Sequence, residues 1–186
     1  MVRRGCWIVL FALFCSVVRA AEVPAVIQLA SEDWEDYTAA DGHGMAWDIL
    51  REVFEPAGVK LKISTVPYTR SIGLVQLKEV DAMVGSYLDE VEGVLYPKSH
   101  FDCDHIHALG LATMPPPTLA TLGKYQLAWV RGYRYDKYLP GIKNFTQIVR
   151  RKGILSMLRQ GRADFYIDAR TEVEAVLRDG SEAKQF

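Results

Sequence analysis

The chain has 186 residues, of which 49% are hydrophobic, and it carries 22 Lys and Arg against 23 Asp and Glu. An apolar fraction of this size is ordinary for a globular domain and excludes a disordered chain. The near-neutral charge argues against a nucleic-acid binder, which needs a basic stripe.

The first 20 residues have the pattern of a secretory signal peptide. Fifteen of them are apolar, and the apolar run follows Arg3 and Arg4. We expect cleavage after Ala20, which removes three arginines and no acids and leaves 19 Lys and Arg against 23 Asp and Glu, a charge of −4. Cys103 is then the one remaining cysteine, so internal disulfides cannot hold the fold together. The signal predicts export to the periplasm.

Strands and helices are predicted to alternate in the first half of the chain. Residues 24–30 form an apolar run typical of a buried strand, and residues 45–57 repeat apolar side chains at helical spacing along one face. Apolar and polar residues alternate over 59–64, which predicts a second strand. A second helix over 69–79 and a third strand over 80–86 follow. This order, with short connections, predicts a largely parallel α/β sheet.

An irregular segment separates this half from a second, similar half. It contains an extended run over 102–113 and three prolines at 115–117, which neither a helix nor a central strand accommodates. In the second half the predicted strands are 126–131, 145–149 and 164–168, and the predicted helices are 151–160 and 171–178. The basic run at 150–152 is interpreted as the solvated start of a helix.

Both halves contain the same short pattern of a helix, a polar turn, an aspartate and an apolar strand that ends on a polar group. The two aspartates are Asp81 and Asp164. Open α/β sheets bind ligands outside the carboxyl ends of their strands. We therefore expect two lobes that face each other across a cleft and close on a ligand by a hinge motion.

These features resemble the family-3 extracellular solute-binding proteins, the polar-amino-acid type that supplies bacterial ABC importers. The matching pieces are Trp34-Glu35-Asp36-Tyr37, Gly44-Met45-Ala46-Trp47-Asp48, Pro67-Tyr68-Thr69-Arg70, Asp81-Ala82, Leu122-Gly123-Lys124, and Gly161-Arg162-Ala163-Asp164 with Asp168. The resemblance implies a two-lobed α/β fold of the periplasmic-binding-protein type II kind, in which each lobe is a mostly parallel sheet flanked by helices. Lobe 1 with the hinge strand would cover 21–113, and lobe 2 would cover 114–186. The family's return strand and final helices have no counterpart, so we expect a C-terminally truncated second lobe.

The resemblance and the strand ends together point to nine ligand-binding residues. Trp34 and Tyr37 lie in the loop where the family stacks an aromatic ring on its ligand, and Asp168 matches its aspartate that binds a ligand ammonium. The other six candidates are Tyr68, Arg70, Ser86, Tyr87, Arg131 and Tyr133. The family's arginine for a ligand carboxylate has no counterpart in residues 87–93, and Arg70 is the expected substitute. For each candidate the alternative is packing, solvation or helix capping.

No other chemistry is indicated by the sequence. Cys103, His105 and His107 alternate along one extended stretch, but Cys103 and His107 would be about 14 Å apart on a straight strand. No metal site and no cofactor are therefore predicted. The chain has no nucleophile motif and no Gly-rich phosphate loop, which predicts a protein that is not an enzyme.

The predicted function is capture of a small polar, amine-bearing solute between the lobes, by closure about a hinge near residues 108–118. The expected partners are the solute and the membrane permease of an ABC importer, with no nucleic acid, and the expected state is a monomer. Two alternatives stay open because they use the same fold. One is the ligand-sensing module of a signalling system, and the other is a periplasmic dehydratase-like enzyme.

Overall fold

The structure, a computed structural model, describes residues 23–179 and 183–186. The predicted signal peptide lies outside the described residues, as does Gly180, the glycine that we expect from the sequence to end the last helix. The strands are β1 (Val26–Ser31), β2 (Lys60–Thr65), β3 (Ala82–Met83), β4 (Ile106–Leu109), β5 (Leu127–Val130), β6 (Phe145–Ile148) and β7 (Phe165–Ala169). The helices are α1 (Met45–Phe54), α2 (Tyr68–Gln76), α3 (Tyr135–Tyr138), α4 (Ile154–Arg159) and α5 (Arg170–Asp179). Within these ranges no helix has the length and hydrophobicity needed to cross a membrane.

The first lobe is built on a three-stranded parallel sheet in the order β2-β1-β3. Helix α1 packs on it through Ala46 and Trp47, which are fully buried with Leu29 and Val84. Helix α1 ends at Phe54, and a 3-10 turn over Glu55–Ala57 completes the segment predicted as helical over 45–57. Gly58 follows with a left-handed backbone at φ 79°, a conformation that glycine adopts without strain. The polar end of β1 then leads into the loop at residues 32–38.

The second lobe is built on a four-stranded sheet in the order β4-β7-β5-β6. Strand β5 runs parallel to both of its neighbours, whereas the edge strand β4 runs antiparallel to β7. Helices α4 and α5 cover one face through Leu158 and Val173, which pack with Tyr166. The predicted hinge strand thus pairs through β4 with the second sheet, and the lobe boundary after residue 113 stays a prediction.

Three elements differ from the sequence analysis. The strand predicted over 80–86 is reduced to β3, because Gly85 turns the chain at φ 92° directly after Val84. The helix predicted to start at 151 starts at Ile154, because the left-handed backbone of Gly153 cannot belong to a helix. The short helix α3 was not predicted, since its four residues are too few to show a helical period.

The aspartate before the repeated strand has the same role in both lobes. Asp81 Oδ2 accepts a hydrogen bond from the backbone N–H of Gln28 at 2.7 Å. Asp164 Oδ2 accepts the corresponding bond from the N–H of Gln126, also at 2.7 Å. Each aspartate also donates its own N–H to the carbonyl of the same glutamine. The sequence repeat therefore encodes a clamp that attaches one strand to the start of its neighbour.

We predict that Asp164→Ala lowers the free energy of unfolding by about 1.5–3 kcal/mol, the usual contribution of a hydrogen bond to a charged group. Asp164→Asn is the matched control, because its amide oxygen can accept the same bond, and it should keep most of the stability. Denaturant unfolding measures both variants. An Asp164→Ala midpoint equal to that of the wild type would contradict the clamp.

Candidate functional site

A cavity of about 580 Å³ lies between the two lobes. The first lobe contributes the loop after β1, the segment after β3 and residues 100–104. The second lobe contributes the turn after β5 and the start of α5, beside the end of β7. The cavity thus lies where the sequence analysis expects a ligand, at the carboxyl ends of the central strands.

Six Trp and Tyr rings of the described residues line this cavity. They are Trp34, Tyr37, Tyr68, Tyr87, Tyr133 and Tyr135. Tyr68 and Tyr133 meet edge to face with ring centroids 5.1 Å apart, and the indole N–H of Trp34 donates to the Tyr133 hydroxyl at 2.8 Å. Gly85 permits this packing, because a Cβ there would overlap the Trp34 ring. The aromatic wall therefore connects the lobes directly.

Glu90 is a second connection between the lobes. It is 5% exposed and accepts hydrogen bonds from the Tyr68 hydroxyl, from Ser86 Oγ at 3.2 Å and from the N–H of Tyr87 at 3.1 Å. Its other oxygen accepts from the N–H of Arg134 in the second lobe at 3.3 Å. The carboxylate is satisfied as a hydrogen-bond acceptor by these four donors, all of which are uncharged.

The guanidinium of Arg151 occupies the centre of a group of buried carboxylates. Its Nε lies 2.9 Å from both Asp168 Oδ2 and Glu172 Oε2. Its Nη1 lies 3.2 Å from Glu32 Oε1 in the first lobe, and its Nη2 donates to the Tyr133 hydroxyl at 2.9 Å. The Cζ atom lies 5.9 Å from the centre of the Tyr133 ring, within the range of a cation–π interaction.

The three carboxylates around this guanidinium titrate above their usual range. Burial raises the pKa of Glu172 to about 7, an effect that Arg151 offsets only in part. Burial likewise raises the pKa of Asp168 and of Glu32, again against the lowering effect of Arg151. One cation is shared by three acids, so the cluster holds excess negative charge when all three are ionised.

The structure brings together seven of the nine predicted ligand-binding residues. Those that line the cavity are Trp34, Tyr37, Tyr68, Ser86, Tyr87, Tyr133 and Asp168. Arg70 and Arg131 are exposed and lie outside its lining. Asp168 is 1% exposed and is already bonded to Arg151 and to the Tyr166 hydroxyl. The ligand-binding roles of all nine stay predictions.

Several residues at the site were missed by the sequence analysis. The interpretation of Arg151 as part of a solvated helix start was wrong. The helix begins only after Gly153, and the Arg151 side chain is directed into the protein, where it is 17% exposed. Glu172 lies four residues after Asp168, across the junction between β7 and α5, and the sequence does not show that the two carboxylates share a partner. Glu90 lies in an acidic stretch in which composition alone does not distinguish a buried member from exposed ones.

The alternating Cys103, His105 and His107 do not form a metal site with other side chains of the described ranges. Over residues 23–179 and 183–186, no three His, Cys, Asp or Glu side chains come together in a way that could hold a metal ion. Cys103 is exposed at the cavity rim with a free thiol.

No protein family and no curated protein matches the chain by sequence, but solved structures match its fold. The arginine-bound form of a mutant arginine-binding protein from T. maritima has a TM-score of 0.64 at 17% identity, covering 84% of this chain and 78% of that one. The substrate-binding protein of an amino-acid ABC transporter has a TM-score of 0.64 at 20% identity, with coverages of 86% and 75%. An ancestral arginine-binding protein bound to arginine has a TM-score of 0.67 at 13% identity, with coverages of 87% and 77%.

A further neighbour is an ancestral amino-acid-binding protein described as a precursor of cyclohexadienyl dehydratase, with a TM-score of 0.62 at 12% identity and coverages of 83% and 74%. These neighbours are named as binding proteins rather than enzymes. At identities this low, the likeness shows the fold. The chain has the two-lobed α/β fold of type II periplasmic binding proteins, so the predicted fold class is confirmed.

We predict that Arg151→Met destabilises the protein by about 3–5 kcal/mol near pH 7.5, the usual cost of removing one partner from a buried ion pair. The loss should be smaller at pH 5, because the uncompensated carboxylates can take up protons there. Arg170→Met is the control, since its 57% exposed guanidinium lies 3.7 Å from Glu174 on the surface, where a pair contributes about 0–1 kcal/mol. Equal losses in both variants, measured by denaturant unfolding, would contradict the central role of Arg151.

We also predict that the protein becomes less stable as the pH rises from 5 to 8. The pKa of Glu172 is about 7 in the folded protein against an ordinary 4.5, so between these values the folded chain binds more protons than the unfolded chain. The stability that the folded state gains from holding this proton on Glu172 is therefore fully present below pH 4.5 and is lost as the pH rises through 7. Glu172→Gln should make the dependence shallower, whereas Glu174→Gln on the same helix should not. Thermal melts across this range test the sign, and a midpoint that rises with pH would contradict it.

Proposed function

We propose that this protein is a solute-binding protein that captures a small, amine-bearing solute in the cavity between its lobes. The observation that carries the proposal is the cavity itself, which both lobes line with aromatic rings and carboxylates. Aromatic faces and carboxylates are the groups that attract an ammonium or guanidinium ion. The volume of about 580 Å³ is in the range typical of small-molecule sites.

The structural neighbours support a cationic solute. Two of them are arginine-binding proteins with arginine bound, and a third is the substrate-binding protein of an amino-acid transporter. Arginine carries a guanidinium, and this chain already holds a guanidinium, its own Arg151, between Asp168 and Glu172. The second-lobe wall of the cavity therefore consists of groups suited to bind a positively charged ligand group.

Capture would proceed by closure of the two lobes about the segment near residues 108–118. Closure brings Trp34 against Tyr133 and Glu32 against Arg151, contacts that join the lobes in this structure. Opening breaks these contacts and exposes the cavity, and a bound solute adds its own contacts to the closed state. The solute thereby shifts the equilibrium between the open and closed states toward the closed one, by as much as its binding free energy differs between the two states.

We infer that the protein binds its solute in the periplasm, outside the cytoplasm. The apolar, arginine-led segment at 1–20 indicates export to the periplasm. There the protein, as a monomer, would deliver its solute to the permease of an ABC importer. The named transporter component among the structural neighbours supports this role.

Thermal melts with pooled amino acids and amines test the proposal. A ligand at about 100 times its dissociation constant adds about 2.7 kcal/mol to the stability of the folded state. The midpoint should then rise by several degrees. Tyr37→Ala, which removes a ring from the cavity wall, should reduce the rise. Phe145→Ala removes an aromatic ring from edge strand β6, outside the cavity lining, and should keep the rise. If no pool raises the midpoint, the proposal is wrong.

A further inference from the structure

The cavity lining contains many carboxylates and, among the described residues, no lysine or arginine. Seven carboxylates line it, from Glu35, Asp36, Glu90, Asp102, Asp104, Asp168 and Glu172, whereas no Lys or Arg of the described residues does. In the described part of the chain, the cations paired with these seven are Arg151 and Arg178, and Arg151 also serves Glu32. The space available to a solute is therefore strongly negative.

Four of these seven acidic residues form two pairs, one on each lobe. Asp168 and Glu172 lie at the second-lobe wall, where α5 begins. Asp102 and Asp104 lie at the first-lobe wall beside Tyr37, whose pKa is raised by burial and then by these two charges. Asp104 also accepts a hydrogen bond from the Tyr87 hydroxyl at 2.7 Å. The aromatic wall thus has negative charge at two separate places.

The second-lobe group pairs with a guanidinium of the protein itself. It holds the Arg151 guanidinium at 2.9 Å from each of its two carboxylates, with the Tyr133 ring beneath the cation. This geometry is independent of the charge count, and it shows that carboxylates of the cavity lining pair with a guanidinium of this chain. Because that single guanidinium is also shared with Glu32, the three acids hold more negative charge than Arg151 neutralises when all of them are ionised.

Among the described residues that line the cavity, a carboxylate on the solute has no comparable partner. A bidentate arginine is the usual means by which a protein binds a carboxylate. The two candidate arginines, Arg70 and Arg131, are exposed and outside the lining. A carboxylate in the cavity would lie among like charges at reduced solvent exposure, where such repulsion is strong.

We propose that the solute is an organic cation without a carboxylate, with a positive group at each end, such as a diamine or a guanidino amine. This inference rests on the proposed solute-binding function and specifies its ligand class. One cationic end lies at Asp168 and Glu172, and the other at Asp102 and Asp104. The chain between them packs against the aromatic rings, as the apolar part of an alkylamine does.

The experiment compares pairs of compounds that differ only by a carboxylate: agmatine with arginine, cadaverine with lysine, and putrescine with ornithine. Titration calorimetry on the purified protein gives each dissociation constant. The expected result is at least a tenfold preference for one of the amines over its amino acid. If the amino acid of each pair binds as tightly as the amine or tighter, the inference is overturned while the solute-binding function stands. If none of the six compounds and no other small solute binds, both fail.

Variants at the first-lobe group provide a second test. Asp102 and Asp104 are exposed at the rim, so the double substitution Asp102→Asn with Asp104→Asn is expected to fold. It should weaken binding of the preferred diamine about tenfold, the order expected for loss of a charge contact of about 1.4 kcal/mol. Glu52→Gln, an exposed acid outside the cavity lining, is the matched control. Unchanged diamine affinity in the double variant would overturn the placement of the second cationic end.

Discussion

The arrangement of the two lobes depends on one buried guanidinium. Arg151 neutralises part of the charge on Asp168, Glu172 and Glu32, and these acids come from both sides of the cavity. Burial of ions is unfavourable unless they are paired and hydrogen-bonded. Glu32 of the first lobe reaches the same guanidinium through Arg151 Nη1 at 3.2 Å. The cluster thereby couples the packing of α5 to the approach of the loop after β1.

The aromatic wall and Glu90 also determine the character of the cavity. The aromatic wall stabilises the contact between the lobes through apolar burial and through the Trp34–Tyr133 hydrogen bond. Such rings lower the local polarity, which strengthens each electrostatic interaction within the site. Glu90, buried among uncharged donors, adds a negative charge that its donors leave uncompensated. A site of this kind favours cations over anions before any specific contact is considered.

Much of the fold could be predicted because it follows from local patterns. The apolar run that forms β1 and the amphipathic period of α1 depend on neighbouring residues alone, and both appear where expected. The repeat around Asp81 and Asp164 was visible as a pattern, whereas its role as a backbone clamp required the partner strand. The shortening of β3 escaped prediction, because a lone glycine does not show where the chain turns, and the close approach of the Trp34 ring to Gly85 joins residues that are distant in sequence.

The sequence by itself determined the alternation of strands and helices, the two similar halves, and the aromatic and acidic residues at the strand ends. Only the tertiary structure decided which charges meet. Arg151 lies 119 residues from Glu32 along the chain, and no local pattern distinguishes it from its basic neighbours at 150 and 152. Its burial is decided by the carboxylates that the second sheet places around it. Ion pairing between distant residues depends on the packing of whole lobes, and for that reason the electrostatics of the cavity could be read only from the folded protein.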